Sequence, residues 1–116
     1  DYKDLKVWQK SFLLTKDIYK LCTNLPKEEN YGLKSQIQRA VLSIPSNIAE
    51  GQARKGSKEF VQFLYIAKGS LAEVETLLLL GGELSYFKAE DVNKLTNDIT
   101  ECNKMLSKLI SVISKK

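Results

Sequence analysis

The sequence predicts an all-α protein folded as an antiparallel, up-down-up-down four-helix bundle. Three observations carry that expectation. Apolar residues recur at alternating steps of three and four through four long segments, a spacing that keeps side chains on one helical face. Only two prolines and six glycines interrupt 116 residues, too few turn formers for a chain of many short strands. The connections are short, which makes consecutive helices antiparallel neighbours crossing at ~20°. With 43% hydrophobic and 28% charged residues, the balance is that of a globular chain. The length suits one domain over residues 1–116.

The first helix is expected over residues 4–24. Leu5, Trp8, Phe12, Thr15, Tyr19 and Cys22 form one stripe, and Val7, Leu14, Ile18, Leu21 and Leu25 form another. Their combined arc is wider than one partner face requires. At this spacing Trp8 and Tyr19 read as core residues rather than as base-stacking aromatics. Pro26 ends the helix, because proline lacks a donor and disfavours helical geometry at Leu25.

A second helix is expected over 32–53, with Leu33, Ile37, Ala40, Val41, Ile44 and Ile48 facing inward. Pro45 falls inside it and should kink it, freeing the Val41 carbonyl for a side chain or water. Asn47 and Glu50, close behind that proline, read as side chains that satisfy loosened backbone groups. Gly51 and Gly56 bracket the turn that follows.

The third helix is expected over 57–84, with Ser57 as N-cap and Glu59 in its first turn. Phe60, Phe63, Ala67, Ser70, Val74, Leu77 and Gly81 mark one seam; Val61, Leu64, Leu71 and Leu78 mark a second; Leu79 and Leu80 extend the surface further. A helix apolar nearly all round is buried on several sides. Four helices do not readily cover it, which predicts self-association. The fourth helix, expected over 89–114, carries one narrow heptad seam: Val92, Leu95, Ile99, Cys102, Leu106, Leu109 and Ile113.

Eighteen basic and fourteen acidic residues give a net +4 and a pI near 9.0. The charge is uneven: residues 57–87 hold two Lys and four Glu, leaving an excess of basic residues elsewhere. No run approaches the ~18 apolar residues of a membrane span. The first residues, Asp1-Tyr2-Lys3-Asp4, show no signal-peptide pattern. With two cysteines, a reducing cytoplasm is the expected setting.

Catalytic chemistry finds little purchase. The chain has no histidine, so the usual general base, catalytic dyad and transition-metal ligand are missing, and Glu-x-x-His di-iron pairs are closed off. Two cysteines alone make no zinc site. Cys22 near the end of the first helix and Cys102 within the fourth should lie roughly 20 Å apart at ~1.5 Å per residue, too far for a disulfide, so both read as buried thiols. No cofactor, metal or catalytic residue is expected.

The segment Gly51-Gln52-Ala53-Arg54-Lys55-Gly56-Ser57-Lys58 resembles a scrambled phosphate loop. Its Ser and Lys are exchanged and a helix precedes it where the motif needs a strand, so nucleotide hydrolysis is rejected. A weaker property survives. Free N–H groups at the start of the third helix favour an anion, with Arg54, Lys55 and Lys58 around them.

The stretch Ser43-Ile44-Pro45-Ser46-Asn47-Ile48-Ala49-Glu50-Gly51 is more specific than any periodicity. It looks like the signature of the bacterial four-helix-bundle family encoded by intervening sequences in 23S ribosomal RNA genes. Asp4-Leu5-Lys6-Val7-Trp8-Gln9-Lys10, Tyr31-Gly32-Leu33, Gln36-Ile37, Arg39-Ala40, Lys58-Glu59-Phe60 and Gly69-Ser70-Leu71-Ala72-Glu73 support it. Ser11 stands where relatives often have Ala, and Ala53 where Gly is usual. The resemblance implies an up-down bundle, a ring-like homopentamer and no catalytic activity. The related accessory variability determinants of diversity-generating retroelements add an analogy: basic rings that bind nucleic acid.

The functional expectation is a non-enzymatic homo-oligomer, pentameric by that resemblance, that binds RNA or DNA through backbone phosphates. The candidate contacts are Arg39, Arg54, Lys55 and Lys58, with Lys34 after them, while Pro45, Asn47, Glu50 and Gly51 form a structural motif. A ring of five pools the net +4 of each chain to about +20. The alternative is an adaptor oligomer that docks a protein partner and no nucleic acid.

Overall fold

The computed structural model describes residues 1–115. Four helices dominate: α1 (Lys6–Cys22), α2 (Leu33–Gln52), α3 (Ser57–Glu83) and α4 (Ala89–Ser114), and no strand occurs among the described residues. Each helix packs against its chain neighbours, and α1 closes the circuit against α4. The result is the expected up-down bundle, 46 Å long and 24 × 20 Å across.

Local chemistry sets the boundaries. Residues Tyr2–Asp4 form a short 3-10 turn because the Asp1 carboxylate accepts the Lys3 N–H at 2.8 Å. Leu5 is extended, so α1 starts two residues later than expected. A second 3-10 turn, Lys27–Glu29, follows Pro26 and carries Glu29 to the start of α2. There its Oε1 accepts the Leu33 N–H at 3.0 Å while its Oε2 accepts the Tyr86 hydroxyl at 3.0 Å. One carboxylate thus caps α2 and ties it to the α3–α4 loop. Ser57 is the first residue of α3 rather than its cap: Gly56 holds the cap position, with no side chain bonded there.

The core is a single cluster with Ile18, Ile37, Val41, Ile44, Ile48, Leu64, Leu71, Leu78 and Leu106 at its centre. On α1 the stripe of Val7, Leu14, Ile18 and Leu21 lies inside together with Ser11, and of the other stripe only Cys22 is fully buried. Trp8 is half-buried against the core, while Phe12 and Tyr19 are 47% and 40% exposed. Tyr19 is therefore not a core residue. A bundle helix has two neighbours, and these cover the arc centred on Ile18 while leaving the adjacent aromatic row outside. Leu79 and Leu80 of α3 likewise stay about half exposed.

On α4 the seam steps from Leu106 to Ile110, leaving Leu109 only partly buried. A strict heptad lags a 3.6-residue helix by ~20° per repeat, and one step of four restores the register. Pro45 is buried within an uninterrupted helical span. The Thr15 hydroxyl, 2.8 Å from the Ser11 carbonyl, lies 3.3 Å from the Val41 carbonyl that the proline leaves without a helical donor. Ser11 is fully buried and donates to the Trp8 carbonyl at 2.8 Å. Both cysteines are buried and free. Burial pushes the Cys22 thiol up to about 11, with Lys34 opposing, and the Cys102 thiol up to about 12, with Lys10 opposing.

Candidate nucleic-acid interface

Antiparallel packing sorts charge between the two ends of the bundle. The half that holds the α2–α3 turn comprises residues 1–13, 43–70 and 102–115, and carries ten basic against four acidic side chains. The other half, residues 14–42 and 71–101, carries seven basic against ten acidic. Divided at the helix midpoints, the described chain carries +6 at one end and −3 at the other, with Lys10 of the first half ion-paired to Asp98 and Glu101 of the second. Lys3 in the N-terminal 3-10 turn, Lys6 at the start of α1, and Lys104, Lys108 and Lys115 along the end of α4 join Arg54, Lys55 and Lys58 in the basic half. Sequence reasoning missed those five lysines because it weighed charge along the chain. The up-down topology held the missing signal, since it places both chain ends beside the α2–α3 turn.

The turn itself is built on close helix approach. A Cβ at Gly51 would lie 2.6 Å from the Phe63 Cβ and 3.1 Å from the Phe60 Cδ1, so only glycine lets α2 and α3 meet there. Arg54 is half engaged: its guanidinium pairs with Glu50 at 3.2 Å and lies 5.0 Å from the Phe63 ring centroid. Lys55 and Lys58 are exposed and form no ion pair among the described residues. They flank the N-terminus of α3, whose cap position makes no side-chain bond.

The five candidate contacts do not converge. Arg54, Lys55 and Lys58 share one end, while Lys34 sits in the first turn of α2 at the opposite end. Arg39, fifteen residues from Arg54, lies ~22 Å away along the helix. It lines a separate polar notch of about 490 Å³ between α2 and α3 with Tyr31, Gln36 and Glu73.

Of the structural motif, Asn47 donates from Nδ2 to the Ser43 carbonyl at 2.7 Å, a different group from the Val41 carbonyl that Pro45 frees. Glu50 does not share that role; its carboxylate faces Arg54. The Ser43 hydroxyl is hydrogen-bonded to the Ser70 hydroxyl of α3, joining two parts of the signature across the helix pair.

A second surface was not foreseen as a site. Between α1 and α2 runs an apolar groove of about 960 Å³, lined by Trp8, Phe12, Leu13, Tyr19, Leu42 and Pro45 among others. Tyr2 meets Trp8 edge-on at 5.3 Å, and Trp8 lies 5.0 Å from Phe12, so the aromatics form a continuous row. Among the described residues no group of three or more His, Cys, Asp or Glu side chains is placed to hold a metal. No helix among the described residues is long and apolar enough to cross a membrane.

Fold and surface together define a class: an end-polarised four-helix bundle with an open aromatic groove. The 23S rRNA-intervening sequence protein family matches residues 3–108, and the chain belongs to that family. A crystal structure of a protein of unknown function from the S23 ribosomal protein family, from Bacteroides thetaiotaomicron VPI-5482, is similar at 31% identity and a TM-score of 0.80. The match covers 90% of this chain and 97% of that one. No curated protein matches.

Proposed function

We propose that this protein is a non-enzymatic, self-associating bundle that binds RNA or DNA phosphates at its basic end. The segregation of charge carries the reading: +6 in the half around Arg54, Lys55 and Lys58 against −3 in the other. A field of that shape orients a polyanion end-on and requires no base contacts. Fluorescence anisotropy with a labelled RNA at 25–300 mM salt tests it. Affinity should fall steeply with salt, because each neutralised phosphate releases a counterion. Absence of binding at 25 mM, or affinity indifferent to salt, refutes the reading.

Self-association rests on a different observation. The α1–α2 groove is one open apolar surface, and α3 exposes two further apolar pairs, Tyr65 with Ile66 and Leu79 with Leu80, on a different helix. Isolated exposed apolar residues are ordinary, whereas a continuous patch marks an interface. When one such face meets the other on a second copy, the contact is head-to-tail, and a closing rotation makes a ring. Five copies is the number the family resemblance implies. The groove also supports a second reading, an adaptor that seats a partner protein there and leaves nucleic acid alone.

A further inference from the structure

The notch between α2 and α3 is a site apart from the basic end. Its volume of about 490 Å³ falls within the ~300–1,000 Å³ of small-ligand sites. Ser35, Gln36, Arg39 and Glu73 line it. Ser35 is half-buried and Gln36, Arg39 and Glu73 are exposed, and none of the four makes a side-chain hydrogen bond or ion pair among the described residues, although an arginine and a carboxylate share the space. Neighbouring Ser43 is different, its hydroxyl committed to the Ala40 carbonyl and to Ser70. At the rim Tyr31 is 98% exposed, leaving the ring open to solvent.

We propose that this notch binds one unpaired guanine nucleotide of a single strand. The inference rests on the nucleic-acid reading above and adds base selectivity to it. Tyr31 offers the stacking surface that an unstacked base needs. Arg39 supplies the cation for the attached phosphate. Glu73 selects the base. Guanine alone presents two adjacent donors, N1–H and the N2 amino group, on its Watson–Crick edge, and a carboxylate accepts both. Adenine sets a single amino donor beside the N1 acceptor there, and uracil flanks its N3–H with two carbonyl oxygens that oppose a carboxylate. The Gln36 amide and Ser35 hydroxyl remain to donate to guanine O6.

The test uses three labelled single-stranded RNA ten-mers: an all-uridine strand and the same strand with one central guanosine or adenosine. The guanosine strand should bind about tenfold tighter than the adenosine strand, within the range of one bidentate base contact. Glu73→Gln should erase that preference while adenosine binding holds, and Tyr31→Ala should weaken both. Equal affinities, or a guanosine preference that survives Glu73→Gln, overturn the proposal. If all strands bind equally and Arg54→Glu/Lys55→Glu weakens them together, only the guanine site is lost. If none binds at low salt, the basic-end reading falls with it.

Discussion

Gly51 shows how one residue sets the geometry of the α2–α3 corner. Since a Cβ there would press on Phe63 and Phe60, Gly51→Ala must push the helices apart or drive both rings from their rotamers. Overpacking of this kind costs ~1–3 kcal/mol, so the urea midpoint should fall with little change in slope. The two thiols make a prediction in pH. Buried and neutral, they resist ionisation until about 11 and about 12, whereas in the unfolded chain they ionise near ~8.5. Above that value the unfolded state loses protons that the native state keeps, so the thiols' contribution is complete below pH ~8.5 and is lost as pH rises toward the folded values. The stability gap between the native sequence and Cys22→Ala/Cys102→Ala should therefore narrow as pH rises from 8 to 10.5. A constant gap across that range would mean the thiols titrate alike in both states.

At the level of elements, α2 carries an internal proline, and a side chain of another helix lies beside the buried carbonyl that the proline frees. Thr15 of α1 lies within hydrogen-bond reach of the Val41 oxygen. Thr15→Val keeps the shape and removes the hydroxyl, and should cost ~1 kcal/mol. Thr15→Ser should cost less, a comparison chemical denaturation resolves. That pairing also marks the limit of what was legible in the sequence. Helix number, order and approximate ends follow from periodicity and Pro26, since both are local properties. The freed Val41 carbonyl was legible too, but not its partner twenty-six residues earlier in the chain. Tyr19 went astray for the same reason: its spacing marks a helical face, and only the arrangement of neighbouring helices decides whether that face is covered. The Arg54–Glu50 pair lies one helical turn apart and was visible in principle. The notch joining Tyr31 and Arg39 to Glu73 of α3 was not, because α2–α3 packing alone brings them together.

For the whole molecule, the proposed self-association would couple the charge gradient to the aromatic groove. If copies join side by side with parallel axes, their basic ends lie together and a polyanion meets a pooled field in place of a single +6 end. Phe12 and Tyr19 are the test positions, because both line the groove and neither belongs to the buried core. Phe12→Asp/Tyr19→Asp should leave the unfolding midpoint of a dilute, monomeric sample nearly unchanged, as exposed substitutions do. Sedimentation velocity at micromolar concentration should then show the native sequence as a multiple of the 13.1 kDa chain and the variant as a single copy. The same variant should bind RNA more weakly and with a shallower salt slope, since fewer phosphates are neutralised per particle. If the variant is monomeric yet binds RNA with the native slope, assembly and phosphate binding are independent. The groove would then serve a protein partner, while the basic end works one copy at a time.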